Sequence, residues 1–289
     1  LRAKGESADL LVMTATPIPR SLALTLYGDL ETSYLRERPG DRGPGHIRTR
    51  LVNTSHRAAA YDVLRTAVAA GRQAYVVCAL VDESDAAEAR AATREAERLR
   101  TQVFPDLRVG LLTGRMRPAE KIAAMEAFRS GTLDILVSTT VIEVGVDVPN
   151  ATIMIVEDAE RFGLAQLHQL RGRIGRGEHP GEFLIFADPK TAEGKQRMKA
   201  IASNNDGFLL AEADLSLRGA GELIGQRQSG LPRLRLASLA HDAELLDMAR
   251  ADARTIIEGD PHLKAPEHAM IAHEAEAVLG DDASWVRSG

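Results

Sequence analysis

The run Gln169-Leu170-Arg171-Gly172-Arg173-Ile174-Gly175-Arg176-Gly177 sets three guanidinium groups among three glycines. It makes a poor helix face, because each glycine costs about 1 kcal/mol relative to alanine there. It suits a segment whose arginines come close to phosphates, and an arginine delivered to a γ-phosphate stabilises the charge of phosphoryl transfer. Two further segments carry hydroxyls just after an apolar run. Thr14-Ala15-Thr16-Pro17-Ile18-Pro19-Arg20 reads as a ligand-facing strand end or as a rigid strand-to-helix turn. Residues 138–150, Ser-Thr-Thr-Val-Ile-Glu-Val-Gly-Val-Asp-Val-Pro-Asn, read as a phosphate- or ribose-binding edge or as a crossover loop with a buried capping aspartate.

Other chemistry is missing from the sequence. No G-x-x-x-x-G-K-[ST] phosphate loop occurs, and the nearest string, Gly194-Lys195-Gln196, lacks the hydroxyl and the upstream glycine. Val81-Asp82-Glu83 imitates a pair of magnesium carboxylates at a strand end, but with no phosphate loop to serve it reads as a turn. His168 has no Cys or His partner at metal spacing, so no metal centre is expected. Trp285 stands alone near the end of the chain and offers no base-stacking platform.

The elements that must position these residues alternate. Short apolar runs at Leu10–Met13, Gln73–Val81, Val109–Leu112, Leu133–Val137, Ile153–Val156 and Phe183–Ala187 are bounded by polar, Gly or Pro residues, the pattern of strands buried in a parallel sheet. Helical patterns at His56–Ala70, Ala86–Gln102, Pro118–Arg129 and Leu164–Arg171 lie between them. In the third, Ile122, Met125 and Phe128 are expected on one face, with Pro118 in the first turn. Strand, helix and strand in repetition give an α/β domain with crossover connections. Residues 38–45, Arg-Pro-Gly-Asp-Arg-Gly-Pro-Gly, read as a linker, and beyond about residue 190 the pattern turns helical.

Composition sets the class. The 289 residues are 44% apolar and 27% charged, the balance of a soluble globular protein. The longest apolar run, Ala74–Val81, is too short to cross a bilayer, and Arg2, Lys4, Glu6 and Asp9 do not make a signal peptide. A single cysteine, Cys78, excludes a disulfide framework and fits a reducing cytosol. The net charge of −5 argues against a nucleic-acid partner only as an average. Residues 240–289 hold eleven acids against four bases, whereas residues 161–239 hold twelve bases against eight acids. Thirty of the 36 basic residues are arginine, the side chain suited to bidentate phosphate contacts.

Together these motifs resemble those of superfamily-2 helicases. Thr14–Arg20 is similar to motif III, Leu111–Arg115 stands in the place of motif IV, Ser138–Asn150 resembles motif V, and Gln169–Arg176 matches the motif VI pattern Q-x-x-G-R-x-G-R. The strings Thr139–Asn150 and Gly163–Gly177 are similar to the RecG-type branch. So are the runs Asn205–Phe208, Asp214–Gly219 and Gln226–Gly230, which resemble a translocation motif shared with Mfd-type transcription-repair coupling translocases. The resemblance covers about residues 8–235.

It implies a RecA-like parallel sheet flanked by helices, followed by a helical translocation module. Residues 1–37 would close a first motor domain, 38–48 link it to a second RecA-like domain at 49–190, 191–240 form the translocation hairpin and loop, and 241–289 an acidic helical tail. Arg176 would be the arginine finger and Arg173 a second γ-phosphate contact, with Gln169 placing nucleotide or its water. Gly145, Asp147, Thr14 and Thr16 would serve the nucleotide side. Thr139, Thr140, Glu143 and Arg115 would lie along DNA, and Arg197, Arg218 and Gln228 would couple hydrolysis to movement. The cofactors implied are ATP and Mg2+, held mainly by a first motor domain. The partner implied is branched double-stranded DNA, worked on by a monomer in the bacterial cytoplasm and nucleoid, with an N-terminal wedge domain upstream. Without a phosphate loop the 289 residues are not expected to hydrolyse ATP alone. Two other readings remain: an Mfd-like translocase, which Ala220 favours where RecG-type chains commonly carry proline, and a non-catalytic RecA-like binding module.

Overall fold

The computed structural model describes residues 46–79, 85–139, 147–225 and 243–279, together with Leu11, Met13 and Ser33. These fall into two compact units, the first ending at Leu217 and the second starting its main segment at Arg218.

The first unit is built on six strands: β1 (Ile47–Val52), β2 (Gln73–Val77), β3 (Val109–Leu112), β4 (Ile135–Ser138), β5 (Ala151–Val156) and β6 (Gly181–Phe186). They pair in the order β1-β6-β5-β2-β4-β3, and every neighbouring pair is parallel. The three central apolar runs, β2, β4 and β5, are buried along their whole length. This is why they read as continuous apolar stretches rather than alternating ones.

Successive side chains supply two separate cores. Tyr75 and Val77, Leu136, Met154 and Val156, and Phe183 and Ile185 pack on one face with helices α3 (Pro118–Arg129), α4 (Leu164–Arg171), α5 (Ala192–Ser203) and the first half of α6 (Gly207–Gly225). Ala74 and Val76, Ile135 and Val137, Ile153 and Ile155, and Leu184 and Phe186 pack on the other with α1 (Arg57–Ala69) and α2 (Asp85–Arg98). The large residues Phe104, Phe128, Phe183 and Phe186 are each at most 2% exposed, a burial worth about 1.5–3 kcal/mol apiece.

The sequence-based element map differs from this in five places. Strand β1 overlaps the end of the 38–48 linker and was not expected as a strand. It lies at the sheet edge and alternates apolar with exposed Arg48 and Arg50, so it carries no buried run to read. Strand β2 stops at Val77, four residues before the apolar run does; Cys78 and Ala79 are buried but outside the ladder. Helix α2 passes into a wider π turn at Leu99–Val103. Ile122 is 64% exposed whereas Met125 and Phe128 are buried, because three-residue steps drift round a helix of about 3.6 residues per turn. Of the strand expected at Leu10–Met13, Leu11 and Met13 are described; they lie in no strand and are 78% and 82% exposed.

In the second unit, α7 (Ala243–Gly259) and α8 (Ala269–Leu279) are joined by a turn organised around Asp260. Its carboxylate accepts from the backbone N–H of Ala265 at 2.8 Å and of Lys264 at 3.0 Å and contacts His268 Nδ1 at 3.0 Å. The Ala265 N–H, the His268 ring and the Lys264 N–H hold this carboxyl well below the usual aspartate range.

Candidate functional site

The arginine-glycine run folds at the N-terminal edge of the sheet, where α4 ends and before β6 begins. Gly172 caps α4, its N–H donating to His168 O at 3.0 Å. The other two glycines answer to local geometry rather than to a phosphate. Gly175 takes φ +65 and its N–H donates to Ala151 O, while a Cβ there would stand 3.0 Å from Ile47 Cγ1. A Cβ on Gly177 would lie 2.4 Å from Pro149 O, so only glycine lets the two segments meet this closely. That contact brings the end of motif VI against the end of motif V.

There Arg176 Nε donates to Gly172 O at 3.0 Å, and Nη1 reaches Asp147 Oδ1 at 3.5 Å. Both side chains stay open to solvent, at 39% and 54% exposure. Arg173 and Gln169 are half-buried beside them. The segment that carries Asp147 is braced from behind: Asn150 Nδ2 donates to Gly71 O at 2.8 Å and to Gln73 Oε1 at 3.4 Å, and Gln73 Nε2 donates to Leu133 O at 2.7 Å. Tyr75, buried in β2, lies within the field of the same group. Burial pushes its phenol up to about 12, while the charges of Arg173 and Arg176 pull against that rise. Asn150 stood in the sequence as the last residue of the 138–150 segment, without a bracing role. Gln73 and Tyr75 were not picked out, since a Gln or Tyr at the head of a buried strand looks like any core position.

Arg171 takes a different part from its two neighbours in the run. It is 2% exposed, and its Nη1 donates to Asn204 O at 2.7 Å and Ile201 O at 3.1 Å at the end of α5. The reading of all three arginines as phosphate-approaching groups is corrected here: a side chain sealed in this way faces no ligand.

The remaining expected residues lie elsewhere. Thr139 directly follows β4 at the C-terminal edge of the sheet, 1% exposed, and among the described residues neither its hydroxyl nor that of Ser138 has a hydrogen-bond partner. Arg115 is exposed in the turn between β3 and α3, on the same edge. Motif V thus starts at one edge and ends, with Asp147, at the other. Arg197 lies in α5, paired with Glu193 and donating to Glu160 O at 3.4 Å. Arg218 lies on α6 with its side chain outside the described residues, as are Thr14, Thr16, Thr140, Glu143, Gly145 and Gln228 altogether. The string Gly194-Lys195-Gln196 is the first turn of α5, where the Gly194 N–H donates to the capping hydroxyl of Thr191 at 3.0 Å.

A second group of charges sits at the C-terminal end of β5. Glu157 forms a two-pronged pair with Arg57 at the start of α1, one prong being 2.9 Å. Arg57 also stacks over Phe186 at 4.5 Å and donates to Tyr61, whose hydroxyl accepts in turn from Arg98 at 2.6 Å. Burial pushes the Glu157 carboxyl up from its ordinary range, with Arg57 opposing that rise.

Residues 56–178 match the helicase conserved C-terminal domain, and residues 204–287 match the C-terminal part of domain 3 of the ATP-dependent DNA helicase RecG. The chain is 50% identical over 284 residues to the ATP-dependent DNA helicase RecG of Synechocystis sp., covering 98% of this chain and 34% of that protein. It is 44% identical over 274 residues to the Bacillus subtilis protein of the same name, covering 95% of this chain and 40% of that one. The structure of RecG bound to a three-way DNA junction superposes with a TM-score of 0.65 at 42% identity, over 86% of this chain and 32% of that one. The chain therefore spans between a third and two fifths of the length of these relatives.

Proposed function

Because the chain belongs to the RecG family of DNA helicases, we propose that it is the second motor domain and translocation module of an ATP-dependent translocase that remodels branched double-stranded DNA. In this reading the exposed N-terminal edge of the sheet closes on a nucleotide held by a first motor domain. Arg176 then exchanges Asp147 for the γ-phosphate, and Arg173 and Gln169 border the same nucleotide. The observation that carries the proposal is the juxtaposition of Arg176 with Asp147, held by the close approach of Gly177 to Pro149. It supports the reading because an arginine whose carboxylate partner is exposed can exchange that carboxylate for another anion at little cost, while its Nε stays on Gly172 O.

The opposite edge takes the DNA backbone through exposed Arg115. Thr139, whose side chain is buried, belongs to that edge only as support behind the track, to which Thr140 and Glu143 are also assigned. Arg197, Arg218 and Gln228 belong to the coupling of hydrolysis to movement, and Gly145, Thr14 and Thr16 to the nucleotide side. Mg2+ is assigned, with the phosphates, to the first motor domain; among the described residues no group of three or more His, Cys, Asp or Glu is placed to hold a metal. Among those residues no helix is long and apolar enough to cross a membrane. The protein is proposed to work as a monomer in the bacterial cytoplasm, on the nucleoid. The relatives named RecG favour junction remodelling over displacement of an RNA polymerase.

The test compares the 289-residue chain with a full-length protein that joins it to its first motor domain. ATP hydrolysis and separation of a three-way junction are expected from the full-length protein only. DNA-stimulated hydrolysis by the 289 residues alone, or its absence from the full-length protein, contradicts the proposal.

A further inference from the structure

Two arginines lace α4 to α5 at opposite ends. Arg197 of α5 donates to Glu160 O, in the turn that leads into α4. Arg171, the last residue of α4, donates to Asn204 O and Ile201 O where α5 ends, and its Nη1 lies 3.4 Å from Thr49 Oγ1 on β1. The last turn of α5 holds no basic residue of its own. The cation at its negative end is thus supplied by α4. One residue beyond Arg171 begins the loop that carries Arg173 and Arg176. One residue beyond Asn204 begins the short link to α6, where Asp206 Oδ1 accepts from the Phe208 N–H at 2.8 Å and Leu210, 1% exposed, enters the same core as Leu167 and Leu170.

We propose that Arg171 is a positioning residue that makes the arginine loop and the α5–α6 junction move as one body. A displacement of Arg173 and Arg176 during nucleotide turnover then reaches α6 without slack. The inference rests on the proposed nucleotide role of those two arginines. It gives Arg171 a separate task, because a sealed guanidinium bonded to carbonyls of another helix transmits position and touches no substrate. Loss of the side chain strands the buried Ile201 carbonyl and the part-buried Asn204 carbonyl and leaves a void between the helices. The loop would then shift against α5 while Arg176 itself remains.

The experiment measures ATP hydrolysed per junction separated by the full-length protein, for wild type, Arg171→Ala and Arg171→Lys, with thermal melting of each. Arg171→Ala is expected to keep DNA-stimulated hydrolysis within about threefold while junction separation falls about tenfold. Arg171→Lys restores part of that ratio, since an ammonium can still donate to the Asn204 and Ile201 carbonyls. Should the alanine variant not fold, the ratio measured for Arg171→Lys and Arg171→Gln decides. An unchanged ratio, or parallel loss of both activities with normal melting, overturns the proposal. A wild-type protein that fails to hydrolyse ATP with DNA sinks the underlying nucleotide reading instead.

Discussion

Two arginine–carboxylate pairs flank strand β5, and they are built for opposite purposes. At its C-terminal end Glu157 and Arg57 are 11% and 28% exposed, doubly bonded and stacked on Phe186. Near its N-terminal end Asp147 and Arg176 are 54% and 39% exposed and meet through one contact of 3.5 Å. The part-buried pair cannot separate without leaving the Glu157 carboxylate poorly solvated, so it ties the residue after β5 to the start of α1. The open pair contributes little to stability, which leaves Arg176 free to take another anion. One strand thus carries a brace at one end and a weak, solvent-open contact at the other.

Substitutions that should affect one end and spare the other sharpen this contrast. The largest effect is expected from Arg176→Ala in the full-length protein, where kcat for ATP hydrolysis should fall about a thousandfold or more with melting unchanged. Arg57→Ala should do the reverse, costing about 2–3 kcal/mol of stability at neutral pH, less than for a fully sealed pair because Arg57 keeps some exposure. That loss should shrink as pH falls. Burial already raises the Glu157 pKa, and without Arg57 the carboxyl protonates at higher pH still, so the variant regains stability as the solution is acidified. Thermal melts of Arg57→Ala between neutral pH and the ordinary carboxylate range check the sign.

Gly177→Ala forces Pro149 away and with it the segment bearing Asp147. A tenfold to hundredfold loss of ATPase is expected, on the order of what a shift of about 1 Å costs a catalytic contact, and a steady-state assay beside a melting curve separates it from unfolding. The smallest effect concerns Asp260→Asn in the second unit. The Asp260 carboxyl is held below its usual range, so its contribution is present above the unfolded-state pKa and lost as pH falls through the folded-state one. The substitution should flatten the acid limb of a pH–melting curve and leave ATPase unchanged.

Much of the fold could be read from the chain because β2, β4 and β5 are buried on both faces and so appear as unbroken apolar runs. Strand β1 could not, because an edge strand alternating Ile47, Arg48, Thr49, Arg50 looks like polar linker. Arg173 and Arg176 stood out by their spacing among glycines. The same spacing concealed that Arg171 faces the end of α5, since residue type and interval are alike for all three and only packing distinguishes them. Of the glycines in the run, Gly175 serves a left-handed backbone and Gly177 a contact with Pro149, 28 residues away in the sequence. Such long-range requirements leave no local signature.

The central claim, that Arg176 reaches the transferring phosphoryl group, is tested most directly with nucleotide mimics. Binding of ADP and of ADP with aluminium fluoride to the full-length protein on DNA should be measured for wild type and Arg176→Ala. The account predicts unchanged affinity for ADP and a loss of about a hundredfold for the transition-state mimic. Equal affinity of both proteins for the mimic would contradict it.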